Sequence, residues 1–373
     1  MKLLIVTSAP LIYKNEKPFA YGPLVKEMEI WQKYVDKIAF CCPEWKNENE
    51  LLTSEIAFKI DKHFSLIESN LIGFSNFFKA IFYSIYNFVV IFKAMIWADH
   101  IHLRCPGNIG LIGCIAQILF PYKIKTAKYA GNWDPESNQP KTYKFQRWIL
   151  NNTFLTKNIQ VLVYGEWANT SKNIKSFFTA TYSESEKIEY NAKKWNQKFK
   201  FIFVGTLVEG KKPLYAIQLI QNLLMQGFDV ALEIYGSGIL KEDLKSYISE
   251  NKLEENVFLK GNQSHDVLKI AYQHSHFVIL PSESEGWPKA IAEGMFWGCV
   301  PISTKVSCVD YMLDYGKRGI VLEMKLSSDI QKIIDLLRNQ SVFRQISIEA
   351  FTWSNDFTSN KFEYEIKKLL QCE

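Results

Sequence analysis

A chain of 373 residues, 47% hydrophobic and 22% charged, has the composition of a soluble globular protein, which excludes long disorder; its length exceeds what one hydrophobic core usually organises, so two domains are expected. The net charge of +5 sits wholly in the first half: residues 1–190 hold 22 Lys and Arg against 17 Asp and Glu, while residues 191–373 hold 22 of each. So small a bias excludes a duplex-DNA binder with a concentrated basic stripe, and it suits a domain facing phosphates or an anionic membrane surface.

The chain starts "MKLLIVTSAP", an apolar strand-like run too short for a signal-peptide core. Short apolar runs then alternate with helical patterns. "KLLIVTS" (2–8), "KIAFCC" (37–42), "HIHLR" (100–104), "KTAKYAG" (125–131) and "IQVLVYG" (159–165) read as strands. Residues 25–35 and 74–97 read as helices. Within the latter, "AIFYSIYNFVVIF" (80–92) is uncharged but only 13 residues long, as is "NIGLIGCIAQILF" (108–120). A span needs about 20 apolar residues, so each is a buried or surface-lying helix and no transmembrane segment is expected.

A polar, highly charged stretch at 182–200 reads as the seam between two halves. Beyond it, strands at 200–205, 230–236, 256–261, 276–281 and 299–304 are separated by helices near 213–226, 238–250, 264–274 and 288–297. Such alternation implies an α/β chain of two doubly wound, Rossmann-like parallel sheets covered by helices. No internal repeat is visible. Seven cysteines, an odd number without zinc-site spacing, fit a reduced, cytoplasmic setting.

Three strand–turn–helix junctions in the second half could carry chemistry. In "FVGTLVEGKK" (203–212), Gly205 permits a tight turn and Lys211 approaches the start of a helix opened by Pro213. Helix N-termini favour anions, so this is either a diphosphate clamp or a plain turn with solvated lysines. "IYGSGIL" (234–240) has two of the three dinucleotide-fingerprint glycines, including Gly236, which supports a nicotinamide site weakly. "PSESEGWPKAIAEGMF" (281–296) puts Glu285 in a loop and Glu293 inside a helix that Pro288 helps to open. The five residues from Pro288 to Glu293 span about 7 Å of helix axis, too far for the two acids to share a proton. They suit the two ends of one elongated ligand instead, because a carboxylate can accept two hydrogen bonds from vicinal hydroxyls.

The pattern "EGWPKAIAE", preceded by "LPSES", resembles the donor-binding signature of retaining GT-B glycosyltransferases of the family-4 type. "FVGTLVEGKK" is similar to that family's diphosphate motif and "IYGSGIL" to its second glycine turn. "GKRGIVLE" (316–323) and the stretch 351–370 resemble its last strand and returning C-terminal helix. The resemblance covers residues 200–370; the first half matches only in its α/β rhythm. It implies an N-terminal acceptor domain at 1–185, a C-terminal nucleotide-sugar domain at 196–350, and a final helix at 351–373 returning to the first, the two domains facing a cleft.

It also implies that Glu293 binds the nucleotide ribose and Glu285 faces the donor sugar. Lys211 would bind the diphosphate of a UDP- or GDP-linked sugar, helped by Gly205 and the backbone around Gly286, Trp287 and Pro288. Two departures stand out: Thr206 replaces the family's arginine, and "TKVSCVDYML" (304–313) replaces a glycine-rich loop. The implied activity is retaining transfer of a hexosyl group to a glycan or lipid-linked glycan, in surface polysaccharide biosynthesis. The chain holds no Asp-X-Asp motif, so no metal and no cofactor are expected, with Lys211 in place of a divalent cation. A nucleotide-sugar epimerase and a non-catalytic binding protein on the same fold are the alternatives.

On the acceptor side the residues are Gly22, ahead of a helix at Pro23, then His102, Arg104 and Asn132. By strand alternation His100, His102 and Arg104 share one side of their strand, as structural histidines or as acceptor contacts. Contact with an anionic membrane from the cytoplasmic side completes the expected partners, without nucleic acid.

Overall fold

The computed structural model describes residues 1–48, 51–68, 77–195 and 198–371. Contacts divide the chain into two compact units, Met1–Phe177 with the stretch from Glu363 onward, and Phe178–Phe362.

The first unit opens with β1 (Lys2–Val6), then a hairpin of β2 (Leu11–Lys14) and β3 (Lys17–Tyr21) that turns at Asn15 and Glu16, both at positive φ. There follow α1 (Gly22–Trp31), β4 (Lys37–Trp45), β5 (Thr53–Glu55), β6 (Lys62–Leu66) and α2 (Phe77–Trp97). Next come β7 (His100–Cys105), α3 (Asn108–Ala116), β8 (Ile124–Tyr129), α4 (Lys141–Leu150), β9 (Ile159–Tyr164) and β10 (Ile174–Phe177). The parallel sheet runs β10-β9-β8-β7-β1-β4, with β6 beyond β4 and the β2-β3-β5 flap attached at the end of β4. Alternation along β7 works as expected. Ile101, Leu103 and Cys105 join α2, α3 and α4 in one core on one face of the sheet, whereas His100 and His102 pack against Trp31 of α1 on the other.

The second unit contains β11 (Phe199–Val204), α5 (Pro213–Met225), β12 (Val230–Tyr235), α6 (Lys241–Glu250), β13 (Val257–Gly261) and α7 (His265–His274). It continues with β14 (Phe277–Leu280), α8 (Lys289–Phe296), β15 (Val300–Thr304), α9 (Val309–Met312), β16 (Ile320–Leu322), α10 (Leu326–Leu337) and α11 (Gln340–Asn355). The last helix, α12 (Ser359–Gln371), begins in this unit and ends among residues grouped with the first. All six strands are parallel, in the order β13-β12-β11-β14-β15-β16. That is the doubly wound order in which the winding direction reverses between the first and fourth strands, here β11 and β14.

Two boundaries differ from expectation. The units divide at Phe177–Phe178, and residues 182–195 pack with the second unit. Tyr182 lies against Phe296 and Trp297, Tyr190 donates to Ser347 (2.9 Å), and Lys193 donates to the carbonyls of Tyr272 and Gln273. A few anchoring side chains hold a stretch whose charge reads as a linker. The expected single helix over 351–373 is broken at Asp356–Thr358, and from Glu363 the chain belongs with the first unit. There Glu363 pairs with Lys33 (3.0 Å) and Glu365 with Lys175 (2.6 Å). Residues 74–76 of the expected helix and Cys372 lie outside the described residues. No helix among those described is long and apolar enough to cross a membrane.

Candidate functional site

In open α/β sheets ligands bind beyond the carboxyl ends of the strands where the winding reverses. In the second unit that point lies between β11 and β14, so the chain after each strand forms the candidate site. The stretch after β11 turns at Gly205 and passes a single 3-10 turn, Glu209–Lys211; Lys212, at φ +49°, then leads into α5. The stretch after β14, residues 281–288, runs to α8. Lys211 and Glu285 form an ion pair across these two loops, with Glu285 9% and Lys211 27% exposed. Lys212 pairs with Glu283 (2.7 Å), and the Glu283 amide donates to the carbonyl of Gly210 (2.8 Å). Three ties therefore hold the lysine loop to the acid loop.

The glycine turn after β12 braces the lysine loop from the other side. Gly205 N–H donates to Tyr235 O (2.9 Å) and Leu207 N–H to Ser237 O (3.1 Å). Gly236 sits at φ +138°, where a Cβ would overlap the carbonyl of Gly205, and a Cβ on Gly238 would meet the backbone of Leu207. These glycines serve close backbone approach. Thr206 is exposed on this turn.

The acid loop is held from behind. Trp287 is buried against Trp353 and Phe357, and Pro288 O accepts from the amides of Ile291 and Ala292 in the first turn of α8. The stretch 304–313, where the resemblance leaves phosphate contacts open, has a structural role. Ser307 donates its hydroxyl to Gly286 O (2.8 Å), and the Cys308 thiol reaches the same carbonyl (3.4 Å).

Glu293, one helical stretch below, is half-buried with both carboxylate oxygens occupied. Oε1 accepts from Thr181 Oγ1 (2.8 Å) and Oε2 from Tyr272 Oη (3.2 Å). Burial raises its carboxyl above the ordinary range, against the two hydroxyls and the charge of Lys289. The structure thus joins Lys211 to Glu285 directly and gives Glu293 its own partners, which sequence reasoning did not single out.

The first-unit candidates separate by burial. His102 is fully buried, its Nδ1 hydrogen-bonded to Thr126 Oγ1 (2.8 Å) and its ring 4.4 Å from that of Trp31. Burial pushes its pKa well below the usual value, so it is a neutral core group and no acceptor contact. Arg104 behaves differently. At the end of β7 it pairs with Glu27 of α1 (2.6 Å), and Lys128 of β8 reaches the same oxygen (2.9 Å). Burial alone would raise the Glu27 carboxyl, but Arg104 and Lys128 outweigh it and hold the group far below the carboxylate range. Neither Glu27 nor Lys128 carried a motif; only the acid at helical spacing in "VKEMEIW" hinted at a buried partner. Gly22 opens α1 with its amide bonded to Leu52 O (2.9 Å). Asn132 Oδ1 accepts from Asp134 N–H (2.8 Å) in a side-chain turn after β8.

Two Rossmann-like parallel-sheet units of this order define the GT-B class of fold. The structure of HepE from Anabaena in complex with UDP matches over 100% of both chains with a TM-score of 0.69, at 13% identity. In sequence, residues 184–352 match the family described as Glycosyl transferases group 1. The poly(glycerol-phosphate) alpha-glucosyltransferase of Bacillus subtilis (strain 168) is 27% identical over 172 residues, 44% of this chain and 24% of its own length. The capsular polysaccharide biosynthesis glycosyltransferase CapH of Staphylococcus aureus is 28% identical over 197 residues, 50% of this chain and 51% of its own. This chain therefore spans a quarter to a half of these curated relatives.

Proposed function

We propose that the chain is a glycosyltransferase that moves a hexosyl group from a UDP- or GDP-linked donor to a glycan or lipid-linked glycan, with retention and without a divalent metal, in surface polysaccharide assembly. The observation that carries this reading is the sheltered Lys211–Glu285 pair at the winding reversal of the second unit. The match over residues 184–352 and the relatives' names agree with it.

The chemistry follows from charge. Without donor, the Lys211 ammonium is neutralised by Glu285. A diphosphate carries more charge than one carboxylate, so an arriving donor takes over the lysine. The released Glu285 then has both oxygens available for sugar hydroxyls. As the glycosidic bond breaks, negative charge grows on the leaving diphosphate, where the lysine already stands. The loop ties through Glu283, Gly210 and Lys212 keep both groups in place and limit reorganisation. Glu293 takes the ribose, with Thr181 and Tyr272 orienting it. Arg104, with Glu27 and Lys128, belongs to the acceptor side.

Lys211→Ala and Glu285→Ala are expected to lower kcat/KM by at least about a hundredfold, the scale of losing one preorganised charge at a reacting centre. Excess EDTA is expected to leave the rate unchanged, and NMR of the product should show the donor's anomeric configuration. Full activity in both variants would refute the site. A nucleotide sugar recovered with an inverted ring centre would favour the epimerase, and binding without turnover across a broad acceptor panel the non-catalytic protein.

A further inference from the structure

At the amino ends of β11 and β14, the other end of these strands from the candidate site, the second unit holds a cavity of about 490 Å³. That is the size of a small-molecule site. Lys193, Lys194, Lys198 and Lys200 line it, and no Asp or Glu does. Composition does not account for this. Residues 191–373 hold 22 Lys and Arg against 22 Asp and Glu, so the four like charges are gathered against their mutual repulsion. Lys193 is half-buried, and its ammonium donates to the carbonyls of Tyr272 (3.1 Å) and Gln273 (2.7 Å), which carry no net charge. Burial lowers its pKa. Lys194 and Lys200 are exposed, and Lys198 reaches Asp229 (3.6 Å), a residue 71% exposed that lies outside the cavity. Among the described residues no carboxylate forms an ion pair with Lys193, Lys194 or Lys200. His276 holds the lysine-bearing chain at two points: its Nε2 donates to Lys194 O (2.8 Å) and its Nδ1 accepts from the Lys200 amide (3.1 Å). Tyr190 and Phe351 give the cavity an aromatic wall, their ring centroids 5.4 Å apart.

We propose that this cavity is a second anion site, for a ligand that carries two or more linked phosphates. Ammonium groups without a guanidinium among them suit phosphate oxygens met from several directions, whereas planar carboxylates call for the arginine fork. Charge sets the size of the ligand. One phosphate carries about two negative charges at neutral pH, fewer than the three lysines that no carboxylate neutralises, so a diphosphate is the smallest match. Such an occupant supplies the counter-charge that the desolvated Lys193 lacks. The backbone ties through His276 hold the lysine-bearing chain in place beforehand, so binding orders little beyond the lysine side chains. The inference goes beyond the proposed transfer reaction and does not rest on it, since Lys211, Glu285 and Glu293 do not line this cavity.

The test is calorimetric titration of the full chain with inorganic pyrophosphate and with ADP, at low salt and without divalent metal. Pyrophosphate is expected to bind, with an affinity that falls steeply as salt is added. ADP binding no tighter than this makes a free oligophosphate the ligand; tighter ADP binding makes it a nucleotide, seated on Tyr190 and Phe351. Lys211→Ala should still bind, which separates this cavity from the candidate donor site. In that background, Lys194→Glu with Lys200→Glu should weaken binding about tenfold or more, the scale of losing charge-assisted contacts. Lys194→Gln with Lys200→Gln removes the charges without reversing them and should weaken it in the same direction. Both side chains are exposed, so these variants should keep the parent's circular dichroism and Tm. No binding of either probe at low salt overturns the proposal, as does binding that Lys211→Ala abolishes or that both lysine-pair variants leave undiminished.

Discussion

Gly236 shows how a single residue shapes the site. At φ +138° its backbone runs against the carbonyl of Gly205, and that contact aligns the turns after β11 and β12. Gly236→Ala adds both a strained φ and a backbone overlap, so a loss of about 3 kcal/mol is expected. Urea titration would show it as a lower midpoint, and an unchanged midpoint would contradict the close-approach argument. Glu293 yields a prediction with a definite sign. Its folded-state pKa is raised above the unfolded value, so the native state keeps the proton longer and stability falls as pH rises through that window. The Tm of wild type relative to Glu293→Gln should therefore be highest near the carboxylate range, about pH 4, and decline toward neutrality. A difference growing in favour of wild type with rising pH would refute the buried-carboxylate account. At this scale Lys211 and Glu285 were legible because each sits at a strand end in a recognisable pattern. Thr181, Tyr272, Glu27 and Lys128 were not, because each acts through a neighbour remote in sequence: Thr181 bonds a carboxylate 112 residues away, and Lys128 one 101 residues away.

Among the elements, the loop after β14 depends on what lies behind it. Trp287, whose backbone drew the sequence argument, has its side chain buried against Trp353 and Phe357, while Ser307 and Cys308 hold Gly286 O. Trp287→Ala should cost about 3 kcal/mol, the range for emptying a buried aromatic site, and, if the proposed donor site is right, should weaken any thermal stabilisation by UDP or GDP by loosening Glu285. A variant that the same nucleotide stabilises as much as the parent would show that the loop keeps its shape without this anchor. The apolar strands β1, β4, β11 and β14 were visible as runs buried on both faces. The flap strands β2, β3 and β5, with β6, were not. They are exposed or half-exposed at most positions, so they carry no strong apolar period.

Over the whole molecule, the excess of positive charge in the first half acquires a location: five cations on α2, α3 and α4, which hold no carboxylate. The strand order of the second unit likewise turns a set of local junctions into one site. Each βα turn could be read alone, but only the order β13-β12-β11-β14 brings the first and fourth strand ends together. By itself, the sequence determined the α/β class, most strands of both parallel sheets, and the residue types at the second-unit site. Those follow from local periodicity and turn chemistry, which neighbouring residues specify. Tertiary structure alone decided that Lys211 bonds Glu285, that His102 is a core group while Arg104 is paired, and that residues 182–195 belong to the second unit. Such outcomes depend on which distant side chains share a low-dielectric space, and no local pattern encodes that.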